Sequence, residues 1–273
     1  MCRHEELSSF YTEFDAVTSL RDLNNRDLCK LRWKRIDDLL GRRSQVVDRH
    51  EDLNGRGGTS ILLVHVGKTA GGAVWDMLLK AGLSVSAIHA HAVDARMIEE
   101  HSAVLLCLRD PVERTISAYN WRSPKQRKIS AAWAQCGSYG HAQFYKCCQS
   151  LDEYADKIME TGRCGTIARQ GECHLELDTC SYLGGVVDVL ERNRQKVFVI
   201  DSASIERDMN NISNQLQWNK TFRVGAGSKL HRNEVPAAST RLSVSSIAKL
   251  SGYVELIGEA PLYRKLKNLF QLQ

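Results

Sequence analysis

The chain has 273 residues, of which 43% are hydrophobic and 25% charged, enough to bury the core of a globular domain. Its formal net charge of +5 suits an anionic substrate, and no long basic run with interleaved aromatic residues indicates nucleic-acid binding. It contains no stretch of about 18 apolar residues and its charged start is unlike a signal peptide, so no membrane span is expected in this chain.

The first 58 residues are polar and highly charged, and we expect them to form a helical N-terminal extension. Apolar residues recur there at spacings that support a helix or two, namely Leu28, Leu31, Ile36, Leu39 and Leu40. Glycines at the end of the extension predict a loop that leads to the first strand. Residues 59–273 are then expected to form one domain.

The first strand is predicted at about 61–66 and leads into a loop that contains glycines, a lysine and a threonine. Beyond the loop, apolar residues at the spacing of one helix face predict a helix over 71–81. Glycines allow close approach of the backbone, helix N-terminal amides bind anions, and the lysine adds a positive charge. The candidate ligands of a phosphate or sulfate-like group are Gly67, Lys68, Thr69, Ala70, Gly71, Gly72 and Ala73.

A P-loop NTPase and an ordinary glycine-rich turn are the alternative interpretations of this loop. The P-loop pattern has four residues between its first glycine and the Gly-Lys-Ser/Thr triplet that opens the helix. Here Lys68 precedes the pair Gly71 and Gly72 instead of following the last glycine. The residue order therefore disfavours an NTPase.

Two histidines come after the second predicted strand, at about 84–89. His89 and His91 are two residues apart, so on an extended segment both imidazoles would lie on one face. An imidazole of near-neutral pKa can take the proton of an attacking hydroxyl or amine. A metal pair and plain polar loop residues are the alternatives. No cysteine or carboxylate stands at a spacing that would complete a zinc site, so no metal is expected.

A third strand, predicted over 103–108, leads into a second motif that begins at Arg109. Helices are predicted near 93–101 and over 111–122, the latter with Pro111 in its first turn. Because open parallel sheets bind ligands at the carboxyl ends of their strands, Arg109 is a candidate anion ligand. Ser117 reaches the same anion only if the anion lies across the helix start. An ion pair of Arg109 with a nearby carboxylate and a solvated Ser117 are the alternatives.

Together the two motifs resemble the sulfotransferases that use 3′-phosphoadenosine-5′-phosphosulfate (PAPS), nearest the heparan sulfate 2-O- and 6-O-sulfotransferase branch. That branch carries a Pro-Lys-Thr-Gly-Gly-like loop and an Arg-Asp-Pro-x-x-Arg-x-x-Ser-x-Tyr segment. Here Gly67 stands where proline is usual, and Ala70 departs from the usual Thr-Gly-Gly. The resemblance covers about 60–121. It implies an α/β, P-loop-like three-layer fold with a central parallel sheet flanked by helices.

The resemblance also implies roles for the site residues. Lys68 to Ala73 would bind the 5′-phosphosulfate, and Arg109 with Ser117 would bind the 3′-phosphate. His91, or in second place His89, would act as the base, and Lys68 would stabilise charge on the transferred group. The implied reaction is in-line transfer of a sulfuryl group from PAPS to a hydroxyl or amine, without a metal. Its products are the sulfated acceptor and adenosine 3′,5′-bisphosphate (PAP).

Residues 122–180 are expected to form a cysteine-rich loop insert, either a wall for the acceptor or a surface excursion pinned by disulfides. Clustered cysteines predict disulfides, and the absence of paired C-x-x-C spacing disfavours structural zinc. Reduced thiols remain an alternative. The cysteines of the insert are Cys136, Cys147, Cys148, Cys164, Cys173 and Cys180.

Further helices are predicted near 150–161 and 180–194, with a strand at 196–200 and a helix face at 205–216 after it. The C-terminal part, 240–270, is predicted to be helical, with Pro261 at a helix start. In the basic segment between them, Lys229 and Arg232 are candidates for covering the nucleotide, and a solvated loop is the alternative. Asn211-Ile-Ser213 and Asn219-Lys-Thr221 are glycosylation sequons, which also arise by chance.

The acceptor stays open between a small molecule and a carbohydrate, and so does the oligomeric state. The chain is expected to be either cytoplasmic or the lumenal part of a Golgi-type enzyme. A P-loop nucleotide kinase and a non-catalytic nucleotide-binding module are the alternative functions.

Overall fold

A computed structural model of the chain describes residues 60–88, 92–122, 138–171, 174–224 and 242–270. The expected N-terminal extension, 1–58, lies outside these ranges. The described residues fall into two compact units, which we call the sheet unit and the helical unit. The sheet unit contains 60–88, 92–111, 177–224 and 258–270, and the helical unit contains 112–122, 138–171, 174–176 and 242–257.

Four parallel strands form the centre of the sheet unit, in the order β2-β1-β3-β4. They are β1 (Ile61–His65), β2 (Val85–Ile88), β3 (Ala103–Leu108) and β4 (Val197–Asp201). The strand residues are nearly all buried because both faces of the sheet are covered, which explains their short apolar runs in the sequence. His65 lies opposite Cys107, so the carboxyl ends of β1 and β3 are neighbours.

The described residues also form eleven α-helices. In chain order they are α1 (Gly71–Lys80), α2 (Ala95–Glu100), α3 (Pro111–Arg122), α4 (Ser138–Cys147), α5 (Leu151–Lys157), α6 (Arg163–Gln170), α7 (Thr179–Leu183), α8 (Val187–Arg192), α9 (Ile205–Gln215), α10 (Val244–Leu256) and α11 (Glu259–Phe270).

Helices pack on both faces of the sheet, which makes the sheet unit a three-layer α/β structure. On one face, α1 and α9 bury apolar side chains such as Leu78 and Met209 against alternate strand residues such as Leu63. On the other face, α7, α8 and α11 contribute to a core that contains Leu62 and Leu106. The expected α/β fold with a central parallel sheet flanked by helices is therefore confirmed.

The helical unit has a core of its own, built largely from aromatic rings. Tyr119 of α3 packs against Phe144 and Tyr145 of α4 and Tyr154 of α5, with ring centroids 5.5–6.2 Å apart. The hydroxyl of Tyr119 also donates to the carbonyl oxygen of Cys148 (2.8 Å). These rings fix α3, α4 and α5 to one another.

The insert is more helical than the loop that the sequence indicates. Its described part contains α5, which lies within the helix predicted near 150–161, and also α4 and α6, which were not predicted. A disulfide between Cys147 and Cys164 joins α4 to α6.

The helix predicted near 180–194 is interrupted: α7 ends at Leu183, and Gly184 and Gly185 separate it from α8. Consecutive glycines explain this break, because glycine is unfavourable inside a helix by about 1 kcal/mol. Within the described ranges, each helix is too short or too polar to cross a bilayer.

Candidate anion-binding site

The loop between β1 and α1 has a tight and unusual backbone conformation. Lys68 and Ala70 both have positive φ angles, 70° and 65°, in the left-handed region that non-glycine residues seldom adopt. The amide N–H of Thr69 donates to the Val66 carbonyl oxygen (3.3 Å), which closes the first turn. The chain therefore reverses direction within a few residues at the carboxyl edge of the sheet, and α1 begins there.

Thr69 stabilises the loop itself. Its hydroxyl donates to the Val66 carbonyl oxygen (2.7 Å), and the residue is only 1% exposed. In this arrangement the hydroxyl proton is committed to the backbone and is not available to a ligand oxygen. The sequence analysis assigned the Thr69 hydroxyl to the anion, whereas in the structure this hydroxyl donates to the backbone of the loop.

The N-terminus of α1 is the strongest feature of the loop as an anion site. Ala70 stands at the N-cap position and makes no side-chain capping hydrogen bond, and the first turn of α1 contains no acidic residue. The first amides of a helix lack intrahelical partners and carry the positive end of the helix dipole. Gly71 and Gly72 supply two of these amides without the bulk of side chains. The helix start is therefore suited to bind a phosphate or sulfate oxygen.

His65 is a site residue that the sequence analysis did not single out. It is the last residue of β1 and is half-buried. Its imidazole ring lies against Gly71, where a Cβ atom added to the glycine would overlap the ring carbons. The sequence feature that could have identified His65 is its position as the single polar residue at the end of an otherwise apolar strand.

Lys68 and Arg109 both lie at the carboxyl edge of neighbouring strands in the sheet unit. Lys68 follows β1 and Arg109 directly follows β3, and both residues are half-buried. Each has interactions with other residues of the chain. The predicted position of Arg109 at a strand end, beside the loop-bearing strand, is confirmed.

Other predicted ligands lie elsewhere or outside the described residues. Ser117 is half-buried in α3, in the part that belongs to the helical unit. Its convergence with Arg109 on one phosphate stays a prediction. His89, His91, Lys229 and Arg232 lie outside the described residues, so their roles as base and as nucleotide-covering residues also stay predictions.

A pocket of about 400 Å³ lies along α1, and its lining begins at Ala73 in the first turn of the helix. Ala73, Asp76 and Met77 of α1 form one wall, and residues 220–224 form the other. Asp76 pairs with Lys80 (2.6 Å), another lining residue. Lys220 and Arg223 add two further cations to the lining, so the pocket carries an excess of positive charge. Of the lining residues, the sequence analysis assigned only Ala73 to ligand binding, because no binding motif is recognisable in 220–224.

A second polar cluster lies at the carboxyl end of β4. Asp201, whose side chain is 10% exposed, accepts hydrogen bonds from Lys267 Nζ (2.7 Å) and the Tyr263 hydroxyl (3.1 Å), both on α11. Asp201 also accepts a bond from the Ala203 amide (2.9 Å). Burial acts to raise the pKa of Asp201, but these hydrogen bonds outweigh it and hold the pKa below its usual value. The carboxylate is therefore ionised at neutral pH.

The Asp201 cluster is connected to the strand end that carries Arg109. The amide of Ser202 donates to the carbonyl oxygen of Leu108 (2.9 Å), the residue before Arg109. The cluster thus stabilises the turn after β4, which is hydrogen-bonded to the end of β3. It is a structural support of the sheet edge at which Arg109 lies.

The described cysteines are either disulfide-bonded or reduced thiols. Cys147 and Cys164 form a disulfide, and Cys180 is disulfide-bonded too. Cys107 and Cys148 are buried thiols, and burial raises the pKa of each to about 12. Both thiols are therefore protonated at neutral pH and poorly nucleophilic. In the described ranges, no group of three or more metal-ligating side chains comes together.

No family model, curated protein or solved structure matches this chain. The chemistry of the loop and the pocket therefore carries the functional interpretation.

Proposed function

We propose that this protein is a sulfotransferase, which moves a sulfuryl group from PAPS to a hydroxyl or amine of a small molecule or carbohydrate. The observation that carries the proposal is the uncapped N-terminus of α1, preceded by Lys68 and free of acidic residues in its first turn. Phosphosulfate is an anion with many acceptor oxygens, which suits helix amides and a lysine. The P-loop-like character of the fold belongs to the same proposal.

The pocket beside α1 gives the donor a site for its nucleoside. It shares Ala73 with the anion loop, so a nucleotide whose phosphosulfate lies on the loop can extend into it. Lys220 and Arg223 in its lining favour an anionic ligand. Arg109, on the neighbouring strand end, is assigned to the 3′-phosphate, whose geometry suits a guanidinium group. This assignment gives one cationic residue to each phosphate.

The chemistry is a displacement at sulfur. The acceptor oxygen or nitrogen attacks sulfur in line, and the bond between sulfur and the bridging phosphate oxygen breaks, so that PAP leaves. Lys68 and the amides of α1 stabilise the charge that grows on the oxygens around sulfur and on the leaving phosphate. His91, or His89, removes the proton of the acceptor.

The test is transfer of labelled sulfate from PAPS to a panel of hydroxyl and amine acceptors, with a chelator present. We expect transfer that does not require magnesium, together with saturable binding of PAP. Turnover of ATP in a parallel reaction with magnesium would identify a kinase instead. Binding of PAP with no transfer to any acceptor, in the presence of intact His89 and His91, would support the non-catalytic module instead.

A further inference from the structure

Two sequons for N-linked glycosylation lie near each other in the sheet unit. They are Asn211-Ile212-Ser213 and Asn219-Lys220-Thr221. A sequon needs its asparagine amide and its hydroxyl residue at a surface position where a bulky glycan can be carried, which is usually a loop or turn. The two sequons differ in this respect.

The first sequon lies inside α9. Its hydroxyl residue, Ser213, is completely buried. The Ser213 hydroxyl donates to the carbonyl oxygen of Lys220 (2.7 Å) and accepts from the amide of the same residue (3.2 Å). Ser213 therefore holds the segment after the helix in place, and Asn211 belongs to a regular helical turn.

The second sequon forms the outer part of a well-anchored turn. Asn219 is exposed and has a φ angle of 54°, a conformation that asparagine adopts more readily than most residues. Its neighbours fix the turn: the Trp218 amide donates to the Ser213 carbonyl oxygen (2.9 Å), and the Lys220 amide donates to the Ser213 hydroxyl. Thr221 is exposed as well. The side-chain amide of Asn219 has no hydrogen-bond partner among the described residues.

The disulfides indicate a compartment in which such a turn meets the glycosylation machinery. Cys147 and Cys164 are bridged in the helical unit, and Cys180, a residue of the sheet unit, is disulfide-bonded as well. Disulfides form and persist in oxidising environments, which in eukaryotes include the compartment where N-linked glycans are attached. Disulfides and an exposed sequon are independent observations, one on cysteines and one on a surface turn.

From these observations we propose that Asn219 is an N-glycosylation site and that Asn211 is not. The co-reactant is a lipid pyrophosphate-linked oligosaccharide. The Asn219 amide nitrogen forms a bond to the anomeric carbon, the bond from that carbon to the pyrophosphate oxygen breaks, and the lipid pyrophosphate leaves. The amide nitrogen loses one proton. The proposal is independent of the sulfotransferase assignment.

The glycan would be attached beside the pocket next to α1, since Lys220 and Thr221 belong to its lining. It would cover the outside of the turn with a hydrated polymer. Because the positive charge of Lys220 and Arg223 is retained, an anionic ligand would still be attracted to the pocket.

The experiment expresses the full chain in the secretory pathway of a eukaryotic cell and compares Asn219→Asp with the matched control Asn211→Asp. Aspartate tolerates the positive φ angle of position 219 and removes the acceptor amide. We expect the parent and Asn211→Asp to lose the mass of one glycan on treatment with a peptide N-glycosidase, and Asn219→Asp to show no such loss.

Two variants of the hydroxyl residue separate loss of the sequon from misfolding. Thr221→Ser retains the sequon and should keep the glycan, whereas Thr221→Ala should lack it, with both chains folded by circular dichroism. Mass spectrometry of the glycosidase-treated peptide identifies the modified asparagine by its conversion to aspartate. An unglycosylated parent chain, or a glycan on Asn211, overturns the proposal.

Discussion

The imidazole ring of His65 occupies the space in which a side chain at Gly71 would lie. Gly71 begins α1, so its lack of a side chain allows the last residue of β1 to pack against the first turn of the helix. The glycine therefore admits the ring at the point where α1 begins. This relationship connects the sheet edge to the anion loop.

Gly71→Ala should destabilise the sheet unit by about 1–3 kcal/mol, the usual cost of forcing an extra group into a packed site. His65→Ala in the same chain should recover most of that loss because it removes the overlapping ring. Denaturant unfolding of the two single variants and the double variant measures the coupling.

Gly252→Ala is the control for this experiment, because a Cβ atom at that position in α10 meets no neighbour within 4 Å. Alanine there should be neutral or stabilising by up to about 1 kcal/mol. Additive effects of Gly71→Ala and His65→Ala would contradict the proposed packing.

The strands and the position of the loop between β1 and α1 were predictable because their determinants are local. β3 extends over Ala103–Leu108, as predicted. β1 ends one residue earlier than predicted, and β2 and β4 differ from prediction by one residue at each end. A buried parallel strand needs a short apolar run, and that run is visible in the sequence. Pro111 likewise marks the start of α3 by its own geometry.

Of the insert's helices, α5 lies within the helix predicted near 150–161, whereas α4 and α6 were not predictable by the same reasoning. α4 is held by rings that include Tyr119, a residue of α3 more than twenty positions earlier, so its stability is tertiary. The partnership of Asp201 with Tyr263 and Lys267 also spans about sixty residues. No local sequence pattern indicates such long-range contacts. The role of Thr69 was missed for another reason, since a hydroxyl in a loop serves the backbone as readily as a ligand.

Lys68 and Arg109 should act on different phosphates of the donor product. Arg109→Ala should weaken binding of PAP and of adenosine 3′-phosphate, while affecting adenosine 5′-phosphate little. Lys68→Ala should weaken PAP and adenosine 5′-phosphate instead. Each lost charge-assisted bond is worth about 1.5–3 kcal/mol, or about 10- to 100-fold in Kd. Calorimetric titration of the three ligands measures this pattern.

A comparison of Lys68→Ala with Lys68→Gly controls for the backbone. Position 68 has a positive φ angle, which glycine adopts without strain and alanine does not. If the charge is what matters, both variants should weaken adenosine 5′-phosphate similarly, and turnover should fall by about 10²- to 10³-fold. Recovery of binding in the glycine variant would assign the effect to loop conformation.

The Cys147–Cys164 disulfide should stabilise the helical unit. The two cysteines are 17 residues apart, and closing a loop of that size is worth about 3 kcal/mol in the chain-entropy account. Reduction, or the double change Cys147→Ser with Cys164→Ser, should lower the free energy of unfolding by about this amount. Unfolding in denaturant with and without reductant measures the difference.

Cys148 should not exchange with this disulfide, although it is next to Cys147 in the chain. Burial raises its pKa to about 12, so almost no thiolate is present at neutral pH. Alkylation of the denatured, unreduced chain should therefore label Cys107 and Cys148 and spare Cys147 and Cys164. A labelled Cys147 in peptide mass spectra would show that Cys148 has taken its place in the bridge.

Lys267→Met should destabilise the sheet unit most near neutral pH. In the parent chain the lowered pKa of Asp201 stabilises the fold above the unfolded-state pKa of about 3.9, and that stabilisation disappears as pH falls through the lower folded-state pKa. Without Lys267, the largely buried carboxylate loses a charged partner, at a cost of about 2 kcal/mol. Once Asp201 is protonated, Lys267→Met lowers the free energy of unfolding by a smaller amount.

The difference in unfolding free energy between the parent and Lys267→Met should therefore grow from pH 3 to pH 6. Lys265→Met is the control on the same helix, because Lys265 pairs with Glu191 at 3.2 Å in an exposed position, where ion pairs contribute 0–1 kcal/mol at most. Its effect should be small at every pH. An equal effect of Lys267→Met at pH 3 and pH 6 would mean that Lys267 stabilises the fold through packing of its stem and not through the Asp201 carboxylate.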